Sequence, residues 1–92
     1  MYTLLYHHAV KKDVSGIPQK IALKIRLAIE NKIAISPFDY GTPLRGSLKP
    51  CYKLRVGDYR IIYDVLKNHR VLILIIAHRR EVYDLAGRRG RG

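Results

Sequence analysis

The chain has 92 residues, enough for one hydrophobic core and too few for a separate cofactor domain. With 48% hydrophobic residues it is expected to fold rather than stay disordered, and a net charge of +11 at pI near 10.2 calls for a polyanionic partner: nucleic acid, an anionic surface or an acidic protein. Cys51 is the single cysteine, which excludes an internal disulfide and a thiolate metal site and fits a reducing cytosol.

The charge is uneven. Residues 1–41 carry six Lys and Arg against three Asp and Glu, whereas residues 42–92 carry twelve against four, so the C-terminal half holds the electrostatic footprint. The N-terminus lacks the charged start and long apolar stretch of a signal peptide. The most apolar run, Val71 to Ala77, is seven residues long, against the roughly 20 a membrane-spanning helix needs. A soluble, cytoplasmic protein with no membrane partner is expected.

In chain order, Tyr2 to Tyr6 predicts an opening strand and His8 to Val14 a short helix stopped by Ser15-Gly16. Pro18 suits a first helical turn, and from there Ile21, Ile25, Ile29 and Ile33 recur at helical spacing, with Leu23, Leu27 and Ala28 beside them. Lys20, Lys24, Arg26, Glu30 and Lys32 fill much of the remainder, which predicts an amphipathic helix of about four turns. Ser36-Pro37 ends it, and a loop rich in Pro and Gly leads into three strands at 51–56, 59–65 and 71–77, with a second turn at 66–70. The third strand is apolar on both faces, so it belongs inside the sheet. Arg80 to Ala86 predicts one or two helical turns, and residues 87–92 a flexible basic tail. One domain over residues 1–86 follows. Its fold class is α+β, in the order β-αα-βββ-α, with the helices on one side of a mainly antiparallel sheet.

Residues 51–63 carry the functional signal. Alternation with a period of two, broken at Gly57-Asp58, predicts a two-residue hairpin in which Val56 opposes Tyr59, Arg55 opposes Arg60, Leu54 opposes Ile61 and Lys53 opposes Ile62. Tyr52, Leu54, Val56, Tyr59, Ile61 and Tyr63 share an apolar face, whereas Lys53, Arg55 and Arg60 gather on the other. Like charges directly across a ladder destabilise it, so an external anion is the expected reason for their convergence. A solvated outer face is the ordinary alternative for such residues, and the opposition of two arginines weighs against it.

Together with this order of elements, three segments resemble the RelE/ParE toxin superfamily: Leu44-Arg45-Gly46, the stretch from Tyr52 to Tyr63, and His78-Arg79-Arg80-Glu81-Val82-Tyr83. The resemblance covers residues 1 to about 86 and implies a RelE-like toxin of a type II toxin–antitoxin pair, built on the RelE-like, microbial ribonuclease-like fold. RelE-like toxins are cofactor-independent ribonucleases that cut messenger RNA in the ribosomal decoding site. The implied partners are a cognate acidic antitoxin, the ribosome with its messenger RNA, and operator DNA only through the antitoxin complex. By position, the implied catalytic residues are Lys53, Arg55, Arg60 and Arg79, with Tyr83 as the C-terminal aromatic. Arg45, His78 and Arg80 are the implied RNA contacts around them. The best-known branch carries lysine where this chain has Arg55, and arginine is a far poorer base, which shifts the base role to Lys53.

The chemistry agrees with that assignment. Metal-free RNA cleavage uses the 2′-hydroxyl as nucleophile and needs a base for it, cations for the charge gathering on phosphorus, and an acid for the departing 5′-oxygen. The seven acidic residues are scattered along the chain, so no metal cofactor is expected. Lys53, crowded by arginines, is the candidate base; Arg55 and Arg60 can chelate phosphate oxygens; Arg79 serves the leaving-group side; Tyr83 stacks on or orients a base. The acid is Arg79, His78 or the ribosome, and His78 reads more readily as a structural residue at a strand end. Two other functions stay open: a ParE-like inhibitor of DNA gyrase, and a non-catalytic nucleic-acid-binding or regulatory protein.

Overall fold

The computed structural model describes residues 1–90. Its strands are β1 (Thr3–Tyr6), β2 (Thr42–Pro43), β3 (Tyr52–Val56), β4 (Tyr59–Leu66) and β5 (Arg70–His78). Its α-helices are α1 (Val10–Ser15), α2 (Gln19–Ala28), α3 (Pro37–Tyr40) and α4 (Val82–Arg88). α2 runs on through a π-helical turn at Ile29–Ile33, and a 3₁₀ turn at Gly46–Leu48 precedes β3. The five strands form one sheet in the order β1-β5-β4-β3-β2, with β1 parallel to β5 and the other neighbours antiparallel. No helix among the described residues is long and apolar enough to cross a membrane.

The β3–β4 hairpin adopts the register its alternation predicts: Lys53 opposite Ile62, Leu54 opposite Ile61, Arg55 opposite Arg60 and Val56 opposite Tyr59. Gly57 takes the left-handed conformation, φ 58°, that the turn requires. In the β4–β5 turn, Asn68 and His69 also sit at positive φ, a conformation these side chains tolerate better than most.

The sheet is apolar on both faces of β4 and β5. One face carries Leu54, Ile61, Tyr63, Val71, Ile73 and Ile76 and is covered by Val10 of α1 and by Ile25, Ile29 and Ile33 of the long helix. The other carries Cys51, Ile62, Leu74, Ile75 and Ala77 and is covered by Val82, with Leu85, Ala86 and Leu44 at its margin. A β-bulge at Leu74 lets β5 serve both. Ile62 pairs with Ile75 but Tyr63 with Ile73, so the alternation of β5 shifts by one residue at that point.

Three expectations need correction. The helices are not all on one side, because the second apolar face must also be kept from water, and α4 covers it. The loop after residue 36 contains a helical turn, α3, and a short edge strand, β2, which make the sheet five-stranded. The tail does not begin at Gly87: α4 continues to Arg88 and the Arg89 side chain is tucked in against Asp13, while residues 91 and 92 lie outside the described part.

Tyr63 fixes the corrected loop. Fully buried, it donates a hydrogen bond from its hydroxyl to the Pro37 carbonyl at 2.6 Å and stacks on Tyr52 with ring centroids 5.8 Å apart. Gly41 lies so close that a Cβ there would collide with the Tyr63 hydroxyl, so its lack of a side chain is a packing requirement. Burial, with a smaller contribution from Tyr52, pushes the Tyr63 phenol up to about 12. The folded state therefore keeps this proton where the unfolded chain would release it near 10. This contribution to stability is full below pH 10 and is lost as pH rises toward 12. Urea unfolding of Tyr63→Phe is expected to show a loss of about 1–3 kcal/mol, from the buried Pro37 carbonyl left without a donor. The part of the stability decline between pH 10 and 12 that Tyr63 causes should vanish in the same variant.

Candidate active site on the hairpin face

On the face of β3 and β4 that α4 only partly covers, the side chains alternate with those of the core: Lys53 and Arg55 on β3, Arg60 and Ile62 on β4. Lys53 is half-buried and donates from Nζ to the Tyr83 hydroxyl at 3.0 Å, with Nζ 5.7 Å from the ring centroid. The pair joins β3 to α4. Arg60, also half-buried, donates from Nη1 to the carbonyls of Gly57 and Tyr59, both at 2.9 Å. The turn backbone thereby holds this guanidinium in place. Arg55, directly opposite, is exposed and makes no side-chain hydrogen bond or ion pair among the described residues.

Arg79 follows β5 at the tip of the hairpin. Its N–H donates to the Asp58 carbonyl at 2.8 Å, which extends the ladder by one step, and its guanidinium lies 3.9 Å from the Asp58 carboxylate. Both groups are more than half exposed, so the ion pair is weak and open to competition by another anion. Alternation along β5 beyond the bulge puts Ala77 on the α4 face and His78 on the other, so Arg79 emerges on the side of Lys53 and Arg60. Asp58, which the sequence marks only as a turn residue, is the acidic neighbour of this group.

The remaining expected contacts are more scattered. His78 lies across the sheet from the cations: its ring packs edge-on to Tyr59, centroids 5.5 Å apart, and its Nδ1 accepts the Arg80 N–H at 3.2 Å. Arg45 is exposed just before the 3₁₀ turn, where the neighbouring Leu44 N–H bonds the Cys51 carbonyl, so it stands at the start of β3. Arg80 is exposed past the end of β5. The structure therefore brings together Lys53, Arg55, Arg60 and Tyr83, adds Arg79 at one end and Arg45 at the other, and separates His78.

This arrangement can bind an extended polyanion along β3, with a planar cation fixed by carbonyls beside one that is free to adapt. An aromatic hydroxyl touches the only lysine in the group.

The sequence matches the family described as the ParE toxin of type II toxin–antitoxin systems, parDE, over residues 4–83. It is 33% identical over 85 residues to Toxin RelE of Mycobacterium tuberculosis, covering 87% of this chain and 88% of the relative. Its structure is similar to the toxin–antitoxin complex RelBE2 of M. tuberculosis, with a TM-score of 0.78 at 28% identity, over 85% of this chain and 98% of that one. The RelB–RelE antitoxin–toxin complex of Methanococcus jannaschii gives 0.70 at 25% identity, over 88% and 96%. A chain with this sheet, this cationic hairpin and matches of this length belongs to the ParE toxin family of type II toxin–antitoxin systems, within the RelE/ParE superfamily.

Proposed function

We propose that this toxin is a metal-independent endoribonuclease that cuts messenger RNA in the ribosomal decoding site and so halts translation. The observation that carries the reading is the convergence of Lys53, Arg55 and Arg60 with Tyr83 on one partly covered sheet face, where like charges are set against one another across the ladder. In this reading Lys53 Nζ takes the proton of an RNA 2′-hydroxyl, whose oxygen then bonds to the adjacent phosphorus. The bond from phosphorus to the 5′-oxygen breaks, leaving a 2′,3′-cyclic phosphate and a 5′-hydroxyl. Arg60, already oriented by two carbonyls, and Arg55 neutralise the charge that gathers on the phosphate oxygens. Arg79 attends the leaving oxygen, and Tyr83 orients a nucleobase while bonding Lys53. The position of His78 on the far face favours Arg79 or the ribosome as the proton source.

The named antitoxin complexes of the M. tuberculosis and M. jannaschii relatives support a cognate antitoxin for this chain. Its chemistry should be amphipathic and acidic. Leu23 and Leu27 of α2 are 55% and 45% exposed, and they share that helix with Lys20, Lys24 and Arg26. Operator DNA would be met only through that complex. A second reading, inhibition of DNA gyrase, draws support from the ParE description of the matching family. A supercoiling assay run beside a translation assay separates the two.

Induced expression followed by mapping of messenger RNA 5′-ends is expected to show new ends in frame with codons, absent in Arg60→Ala. On programmed ribosomes, Lys53→Ala and Arg60→Ala should each lower the cleavage rate by about 10²-fold or more, and unchanged rates in folded variants would sink the mechanism. Arg55→Glu should slow cleavage too, yet raise stability by about 0.2–1 kcal/mol through a cross-strand pair with Arg60. Thermal unfolding at low and high salt would show that gain fading as salt rises.

A further inference from the structure

β1 pairs with β5 only as far as Tyr6 opposite Ile73, while β5 continues to His78. From Leu74 onward no strand among the described residues lies beside that edge of β5. Two side chains take the place of one. The Asp13 carboxylate, on α1, accepts the Ile76 N–H at 3.1 Å through Oδ2. Arg89, just past α4, donates from Nη1 to the Leu74 carbonyl at 3.0 Å and to Asp13 Oδ2 at 2.6 Å, and from Nη2 to Asp13 Oδ1 at 2.9 Å. The two side chains are only 9% and 13% exposed, so the pair is a two-pronged ion pair kept largely from water, unlike the exposed pair at Asp58. The Asp13 bond holds the Arg89 guanidinium more firmly protonated than usual.

The latch acts on α4. That helix has seven residues and, among the described residues, no side-chain hydrogen bond caps its N-terminus; a helix so short does not hold itself together in water. Its place is set by Val82, Leu85 and Ala86 on the sheet and by Arg89 at its far end. Between those anchors it carries Tyr83, whose hydroxyl meets Lys53. We propose that Asp13 and Arg89 are positioning residues, a latch that fixes α4 on the sheet and thereby holds the Tyr83 hydroxyl against Lys53. The inference rests on Tyr83 and Lys53 forming part of the working site, but it is read without any activity.

The test uses the full chain with ¹³Cζ-labelled tyrosine. In the otherwise native protein, Lys53→Met should shift the Tyr83 resonance. In an Arg89→Gln background that Lys53-dependent shift should disappear, and amide exchange in residues 82–88 should rise about tenfold or more while β4 and β5 stay protected. Arg89→Lys, which keeps the charge, should restore part of the shift. Should Arg89→Gln not fold, Asp13→Asn, which keeps an acceptor for Ile76, carries the same test. Persistence of the Lys53-dependent shift in the latch variants overturns the proposal, whatever their exchange rates. In ribosome cleavage, loss of the latch should lower kcat with KM retained, and Arg89→Gln should add nothing to the loss in Tyr83→Phe. If Tyr83→Phe cleaves normally, the functional reading of Tyr83 falls, and the resonance test still decides the latch.

Discussion

The β4–β5 ladder has two dry faces, and the rest of the molecule is arranged by which face it covers. Burying a single isoleucine or leucine side chain contributes about 1.5–3 kcal/mol, and this pair of strands buries several on each side. The repulsion between Arg55 and Arg60 across the neighbouring ladder is smaller, about 0.2–1 kcal/mol. The sheet therefore tolerates the cations without difficulty. Leu54, Ile61 and Ile62 set the register, and the arginines are carried along in it.

Covering both faces also delimits the site. α1 and the long helix take one face, and α4 with the segment around Leu44 and Cys51 takes the part of the other that lies over Ile62, Leu74 and Ile75. The hairpin end of the second face is left over, and the cations stand there. Arg60 is held by the backbone of its own turn, Arg79 by a weak surface pair, Lys53 by a hydroxyl, and Arg55 by no side-chain bond among the described residues. The group thus grades from fixed to free. Under the proposed cleavage, donors already in place before charge develops would favour the transition state, and Arg60 would meet that requirement best.

Much of this was legible in the sequence wherever a period reports burial. The hairpin register, the interior place of β5 and the isoleucine stripe of the long helix follow from spacing alone, and so does the gathering of Lys53, Arg55 and Arg60. What escaped has a common cause, since it depends on contacts between distant residues. The side taken by α4 depends on which face remains uncovered after α1 and α2 have packed. α3 and β2 depend on Tyr63 reaching Pro37 across 26 positions. The docking of Arg89 depends on Asp13, 76 positions away, and a run of Gly and Arg reads as a free arm when its acceptor is not in view. Tyr83 entered through resemblance, because nothing in local spacing says that its hydroxyl meets Lys53.

The bulge at Leu74 has a bearing on the site that its size conceals. In an unbroken strand counted from Val71, Arg79 would belong with Val71 and Ile73 on the face of the long helix, and His78 with Leu72 on the other. One supernumerary residue inverts that parity, sending the imidazole toward Tyr59 and the guanidinium toward the hairpin cations. β5 is thus spliced from two half-strands in opposite phase, the first phased for the core and the second for the charged face. Side-chain identity at the C-terminal end of β5 has meaning only relative to that splice: a strand with the same number of residues and no bulge would have to exchange positions 78 and 79 to present the same cation, whereas one shortened by Leu74 would present it unchanged.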